Sequence, residues 1–456
     1  MKKTRALPLL FVPLLLAQGC QLAPEYQRPA MDVSDGWRMP KPAGENPVPV
    51  IENWWTYFHS EELNRLIESA LKNNNDLAAS LARISQARAQ AKIAGADLWP
   101  DADASGNLTR SRDKPGNGTA RTDNSYRGVL SVAYELDLWG KNRNSASSAE
   151  ARLDSRQFDY EALALVTAAD TAGTYFQVSN LRDRLAIAQE NLANTQEVLH
   201  IVEAQFKEGR ASALEVSQQK TAYANAEASL VSLENQTINA ENTLALLLGI
   251  TPKELKVGKY NLQSAKVPVV ALTQPSTLLE KRPDIRRAES DLISANADIG
   301  AARAAFFPSV TLGGNLSAAA NPASSAASTT TAIVGGVSVP IFKGGALFGA
   351  LDQTKARKEE LVANYRSTVL NSFKEVEDAL ASVKSAQQRL AALRTASTEA
   401  RNAYRISRER YKAGAVDFLT LLDTQRAQLN ADDDYIRAEL DILTATISLF
   451  KALGGR

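Results

Sequence analysis

Residues 206–249, FKEGRASALEVSQQKTAYANAEASLVSLENQTINAENTLALLLG, run in register with residues 411–454, YKAGAVDFLTLLDTQRAQLNADDDYIRAELDILTATISLFKALG, at a constant offset of 205 and without a gap. Lys207 matches Lys412, Gly209 matches Gly414, Leu214 matches Leu419, and Leu248-Gly249 matches Leu453-Gly454. Upstream the echo continues at an offset of 208, with Asp76 against Asp284, Trp99-Pro100 against Phe307-Pro308 and Gly106-Asn107-Leu108 against Gly314-Asn315-Leu316. The three-residue change of offset marks an insertion in a connecting loop. Solenoid repeats run at roughly 20–50 residues, far shorter than this period, so the chain reads as a duplicated unit packed against its copy.

Proline maps the helices. None lies between Pro115 and Pro252, and none after Pro340. Glycine within 141–248 occurs only at 173 and 209, and within 350–453 only at 414. Proline breaks helix interiors, so these stretches predict helices of about 60 residues, roughly 90–100 Å long, turning at Gly209 and Gly414. Leu185, Leu192, Leu199 and Phe206 are spaced by seven, as are Val376, Val383, Leu390, Ser397, Tyr404 and Tyr411, which is a coiled-coil seam.

Between the helices the period changes to two. Tyr126, Leu130, Val132, Tyr134 and Leu136 alternate with Arg127, Ser131, Glu135 and Asp137; Val310, Leu312 and Leu316 alternate with Ser309, Thr311, Asn315 and Ser317. Strands are expected at about 102–113, 125–137, 309–319 and 332–341, with Gly116-Asn117-Gly118 and the segment 319–331 as polar loops. Such strands suit a membrane barrel with a lipid-facing apolar side and a polar lumen, but four cannot close one, so several chains must share it.

Lys2, Lys3 and Arg5 precede an apolar run from Leu7 to Ala17, then Gly19-Cys20, a secretory signal ending on the only cysteine. That cysteine stands where a bacterial lipoprotein accepts diacylglycerol. The proline-rich arm that follows is expected to lie extended on other parts of the assembly, and Asn53-Trp54-Trp55 to open a short amphipathic helix carrying Leu63, Leu66, Ile67 and Leu71. The chain divides into a signal peptide at 1–19, a lipidated arm at 20–52, a first repeat at 53–260, a linker at 261–275 and a second repeat at 276–456. Lys plus Arg number 52 against 51 Asp plus Glu, with no basic block, which disfavours nucleic acid. His59 and His200 are each alone in their neighbourhood, and no phosphate-binding glycine loop is present, so an enzyme is the weakest reading and no cofactor or metal is expected. Asp432-Asp433-Asp434 reads as a solvated face.

Lys281-Arg282-Pro283-Asp284-Ile285, the run Ile299 to Pro308, Tyr134-Glu135-Leu136-Asp137-Leu138-Trp139-Gly140, Pro340-Ile341-Phe342-Lys343-Gly344-Gly345 and Tyr411-Lys412-Ala413-Gly414 together resemble the TolC-type outer-membrane factors, in the lipoprotein branch that serves tripartite efflux pumps. The resemblance spans the mature chain. It implies a mainly α fold with a small β part: a homotrimer whose outer-membrane β-barrel, four strands per chain, continues into a long periplasmic α-helical barrel. It further implies a passive exit duct, lipid-anchored at Cys20, that works with a periplasmic adaptor and an inner-membrane transporter of the resistance-nodulation-division type. A duct for a type I protein secretion system is the alternative on the same architecture, and a coiled-coil scaffold lipoprotein leaves the strands unexplained. By the family's pattern Asp423 forms a ring of carboxylates and Leu419 an apolar ring at the periplasmic gate, with Tyr411, Asp417 and Thr420 nearby. Gly209, Ser212 and Gly414 mark tips where the adaptor docks. The first-repeat equivalents of Asp417, Thr420 and Asp423 are Ser212, Glu215 and Gln218, so the copies diverge at the tip.

Overall fold

A computed structural model describes residues 22–39, 47–50, 52–258, 262, 265–322 and 326–455. The signal segment and Cys20 lie outside these residues. The elements recur as the sequence does. Helices α2 (Asn75–Ala96) and α6 (Pro283–Ala304) each have 22 residues, strands β1 (Asp101–Asp113) and β3 (Ser309–Asn321) each have 13, and both pairs start 208 apart. Helices α3 (Lys141–Lys207) and α7 (Ala346–Lys412) each have 67 residues, α4 (Ala213–Leu247) and α8 (Phe418–Ala452) each have 35, and both pairs start 205 apart. Strands β2 (Arg121–Leu136) and β4 (Ala326–Ser338) also start 205 apart, so the offset changes in the strand connection, where seven residues follow β1 and four follow β3.

The chain forms two compact units, each interleaving segments of both repeats. The first holds the N-terminal segment to Ala30, Ala82–Gln157 and Arg287–Arg366. Its sheet is antiparallel in the order β1-β2-β3-β4. The pair Asp101↔Ala133 in the first hairpin becomes Ser309↔Ser338 in the second, which is the same register moved by the two offsets. This register gathers Leu108, Tyr126, Leu130, Val132, Leu312, Leu316, Ile333 and Val337 on one face. The other face carries Asp103, Asn107, Arg127, Ser131, Asn315 and Thr330. The apolar face is open among the described residues: Leu108 is 76% exposed and Ile333 90%.

The segment 319–331, expected as a loop, is mostly strand. β3 runs on to Asn321 and β4 already starts at Ala326, because Thr329, Thr330 and Thr331 are β-branched and pair with Ala318, Ser317 and Leu316. At its other end β4 stops at Ser338, ahead of Pro340, which cannot donate to a ladder.

The quoted motifs meet where strands turn into helices. Trp139 stacks on Phe307 with ring centroids 4.8 Å apart, and its indole N–H donates to the Pro308 carbonyl at 2.7 Å. The Asp137 carboxylate accepts from the backbone N–H groups of Asn142 and Arg143 at 3.0 and 2.9 Å, which caps α3 where its first amides have no partner of their own. The N-terminal arm lies along α6 here, with Arg28 forked onto the Glu289 carboxylate by two 2.8 Å bonds. Burial and the neighbouring Glu289 carboxylate push the Tyr26 phenol far above its ordinary range.

The second unit comprises Met31–Leu81, Phe158–Arg286 and Ser367–Arg456. The expected helix at Trp54 is instead a five-residue 3-10 turn, Trp54–Phe58, separated from α1 (Glu61–Asn73) because Asn53 and His59 flank it in left-handed conformations. Ser60 then caps α1, accepting from the Leu63 amide at 3.2 Å. Trp54, Trp55 and Phe58 form an aromatic core with Tyr175, Phe176 and Phe450, where Trp54 stacks on Phe450 at 5.2 Å. After α4 the chain reaches the short helix α5 (Pro275–Lys281) and then Arg282. The buried Arg282 guanidinium grips Asp284 by two bonds of 3.0 and 2.7 Å, Glu375 at 2.7 Å and the Ala452 carbonyl at 2.9 Å. It therefore ties the start of α6 and the middle of α7 to the end of α8.

The seam on α7 is as expected, with Val376, Val383, Ser397, Tyr404 and Tyr411 buried. On α3 the expected seam holds only in part: Leu185 packs against the core of Val178, Leu181 and Leu244, Leu192 and Leu199 are partly buried beside the buried Val198 and Val202, and Phe206 is 47% exposed. Among the described residues no helix is long and apolar enough to cross a membrane.

Candidate functional site

The two helical hairpins reach their tips within the second unit, and both turn by the same device. Gly209 and Gly414 each adopt φ of 72°, a left-handed conformation that glycine enters without the Cβ clash of other residues. The Arg210 amide donates to the Gln205 carbonyl and the Ala415 amide to the Arg410 carbonyl, both at 2.8 Å, closing two equivalent helix C-caps. The next helices start differently. Ser212 and Glu215 form a reciprocal capping box on α4, whereas Asp417 caps α8 by accepting from the Thr420 amide at 2.8 Å.

Hydrogen bonding from Thr420 holds the Asp417 carboxyl below its ordinary value. A carboxyl depressed in the folded state contributes stability above its unfolded value and loses it as pH falls through the folded one. Protection of the amides in the first turn of α8, measured against their intrinsic exchange rates, should therefore fall below about pH 4, the ordinary aspartate range, and Asp417→Asn should flatten that response. An equal fall in protection in the variant would remove the cap from the explanation.

Below the tips one core joins the hairpins: Val198 and Val202 from α3, Tyr404 and Tyr411 from α7, and Phe418, Leu421 and Leu422 from α8. The Tyr411 hydroxyl donates to Gln205 at 2.8 Å, and its ring meets Phe418 edge-on at 6.0 Å. Burial raises the Tyr411 phenol, keeping it a neutral donor. Its repeat partner, Phe206, lies exposed instead. Two buried glutamines converge on Thr195: Gln219 donates to its carbonyl at 3.0 Å and Gln425 to its hydroxyl at 3.2 Å. Leu419 and Asp423, one helical turn apart, face away from this core, and Leu419 is 56% exposed. Leu214, its partner in the first hairpin, is 66% exposed. Tyr411 is thus a packing and hydrogen-bonding residue, Asp417 and Thr420 make a cap, and Leu419 with Asp423 present an unpartnered apolar and acidic pair. Ser212, Gly209 and Gly414 are exposed at the turns.

One reading of the triple aspartate is corrected. Asp432 is 2% exposed and accepts from Ser397 at 2.5 Å and Arg401 at 2.7 Å; Asp433 pairs with Arg184 at 2.6 Å and Arg437 at 2.7 Å; only Asp434 is solvated. The signal was present in the sequence, because Phe418, Gln425, Asp432, Glu439 and Thr446 are spaced by seven and all lie buried. Burial raises the Glu439 carboxyl, and burial with its bond to Glu439 pushes the Tyr435 phenol up to about 12. His59 and His200 are both exposed.

A two-faced sheet with open edges and paired 67-residue helices has close counterparts. The family model described as outer membrane efflux protein matches residues 66–250 and 274–455, one segment in each repeat. The pyoverdine export outer membrane protein OpmQ of Pseudomonas aeruginosa is 37% identical, over 97% of this chain and 95% of its own. The cation efflux system protein CusC of Escherichia coli strain K12 is 32% identical, over 98% of each chain. The solved structure of the Campylobacter jejuni CmeC outer membrane channel superposes with a TM-score of 0.86 at 26% identity, covering 96% of this chain and 95% of that one. These relatives are transport proteins and channels, and the chain belongs with them to the outer membrane efflux protein family, as an efflux channel of the outer membrane.

Proposed function

We propose that three copies of this chain close one twelve-stranded barrel in the outer membrane, and that their helices continue it as a water-filled duct through which small toxic solutes leave the cell. The observation that carries this is the sheet: β1 and β4 are 13-residue edges with no strand partner among the described residues, under an apolar face. In hydrocarbon an open edge leaves backbone N–H and C=O groups unsatisfied, so the sheet must close on other copies. The exposed Phe206 on α3 gives the helices a reason to pack on neighbouring copies too. Heat-modifiable migration of the purified protein and discrete conductance steps in planar bilayers test this reading. A monomer that never conducts would rule it out.

Lipid at Cys20 anchors the chain, and an N-terminal mass carrying diacylglycerol and an N-acyl group, lost in Cys20→Ser, checks it. A periplasmic adaptor docks at the exposed tips around Gly209, Ser212 and Gly414, and an inner-membrane transporter of the resistance-nodulation-division type supplies the energy. OpmQ and CusC are named for pyoverdine export and cation efflux, so the scaffold serves unlike cargoes and selection lies largely upstream. Leu419 and Asp423 line the closed gate, as an apolar ring beside a ring of carboxylates, both established ways to restrict a pore. Asp423→Ala with Leu419→Ala should raise single-channel conductance several-fold and sensitise cells to bulky antibiotics. Unchanged conductance in an assembled trimer would remove these residues from the gate.

A further inference from the structure

In the first unit, α2, α3, α6 and α7 frame one cavity of about 870 Å³. Its walls are unusually basic: Arg83 from α2, Arg152 and Arg156 from α3, Arg287 from α6 and Arg357 from α7. Only two carboxylates line it, Asp291 and Asp298. Asp298 is matched by Arg152 at 2.7 Å, and Asp291 accepts from the Ser155 hydroxyl at 2.7 Å. Guanidinium stays charged at every pH the protein meets, so five cations face these two lining carboxylates, with Glu360 beside Arg357 at 2.5 Å as a third.

The geometry also says which way the cavity faces. α3 and α6 lie side by side, with Ser148 and Ser294 hydroxyls 3.0 Å apart, and α7 adjoins α6 through a 2.7 Å bond from Lys358 to Asn296. On α6 the N-terminal arm occupies one face, through Glu289, Asn296 and Arg303, and Arg287, Asp291, Ser294 and Asp298 line the cavity from the opposite face. In a closed ring of copies, that side is the bore.

We propose that this stretch of the bore is an anion-attracting zone, which locally concentrates passing solutes that carry carboxylate, sulfonate or phosphate groups. The inference rests on the duct reading above. Rings of arginine are how pores favour anions, and low-dielectric walls focus the field within them. The polar face of the sheet opposes it, since Asp101, Asp103, Asp113, Asp123 and Glu135 outnumber Arg121 and Arg127 there. Ion selectivity of the whole channel therefore sums unlike segments, and the test must read the potential locally.

Gln90→Cys on the cavity wall provides the probe, measured in the full chain as the increment over the parent, whose single cysteine is Cys20. The rates of modification by a negatively charged sulfonatoethyl methanethiosulfonate and by its positively charged trimethylammonium analogue are compared with those of a free thiol. The anionic reagent should gain about tenfold in relative rate at low salt. In 1 M salt, where the screening length falls to about 3 Å, that gain should collapse, with no substitution needed. It should also shrink in Arg83→Gln with Arg156→Gln. Preference for the cationic reagent, or a ratio indifferent to salt and to the arginines, overturns the proposal. Planar-bilayer recording separates the two readings. A protein that conducts, with current unchanged on complete modification at this site, places the cavity off the bore and overturns the proposal while leaving the duct intact. A protein that never conducts defeats the duct reading, and the reagent ratio still reports the sign of the cavity.

Discussion

Leu316→Arg is expected to abolish assembly in the membrane, whereas Asn315→Arg, one residue away, should leave it intact. Leu316 lies near the middle of β3, opposite Leu130 on the apolar face and 46% exposed in the single chain. Arginine at the midplane of a lipid-facing strand costs about 2–4 kcal/mol, and a trimer carries the substitution three times. Asn315 projects from the polar face, where Ser131 and Ala332 are its cross-strand neighbours, and a charge there remains in water. The readout is the fraction of protein migrating as a heat-modifiable oligomer after extraction from outer membranes. Equal loss in both variants would mean that the faces have been assigned wrongly.

Arg282→Ala should lower stability by about 2–4 kcal/mol, seen as a fall in the apparent melting temperature and in protease resistance of the second unit. The guanidinium is 9% exposed at its side chain, while its partners Asp284 and Glu375 are 32% and 53% exposed. Water can therefore rehydrate the carboxylates, which places the loss below that of breaking a fully buried pair. The Ala452 carbonyl would lose its donor outright, and with it the anchor of the C-terminal end of α8. Arg282→Lys should recover only part of the loss, because an ammonium cannot grip Asp284 with two parallel bonds while reaching both other acceptors. Full recovery by lysine would reduce the role of Arg282 to its charge.

Much of this was legible because duplication and periodicity are local signals. The offsets of 205 and 208 forecast elements that recur in the same order in both halves, and the strand faces followed from alternation at Tyr126–Leu136 and Val310–Leu316. Less visible was anything decided by several elements at once. Thr329–Thr331 look like loop residues by polarity, yet pairing with β3 makes them strand. Asp432 looks solvated by composition, yet its place on the seven-residue seam buries it against Ser397 and Arg401. At the tip, sequence marked Asp417 and Thr420 as a pair near the gate but not as cap and capped amide. The convergence of Gln219 and Gln425 on Thr195 joins residues from three helices, which no short window brings together.

The duplication also fixes how copies should meet. The β2–β3 junction joins the first repeat to the second, and closing the ring requires β4 of one copy to join β1 of the next as its counterpart. Shifting the pair Val129↔Ser317 by the two offsets gives Val334 of one copy opposite Thr109 of its neighbour. Thr109→Cys combined with Val334→Cys, oxidised in the outer membrane and run without reductant, tests the shared barrel most directly. The account predicts covalent dimers and trimers and a ladder that stops at three, with neither single variant cross-linking. Absence of cross-links in the double variant, or a ladder continuing beyond three copies, would contradict a closed ring of three chains.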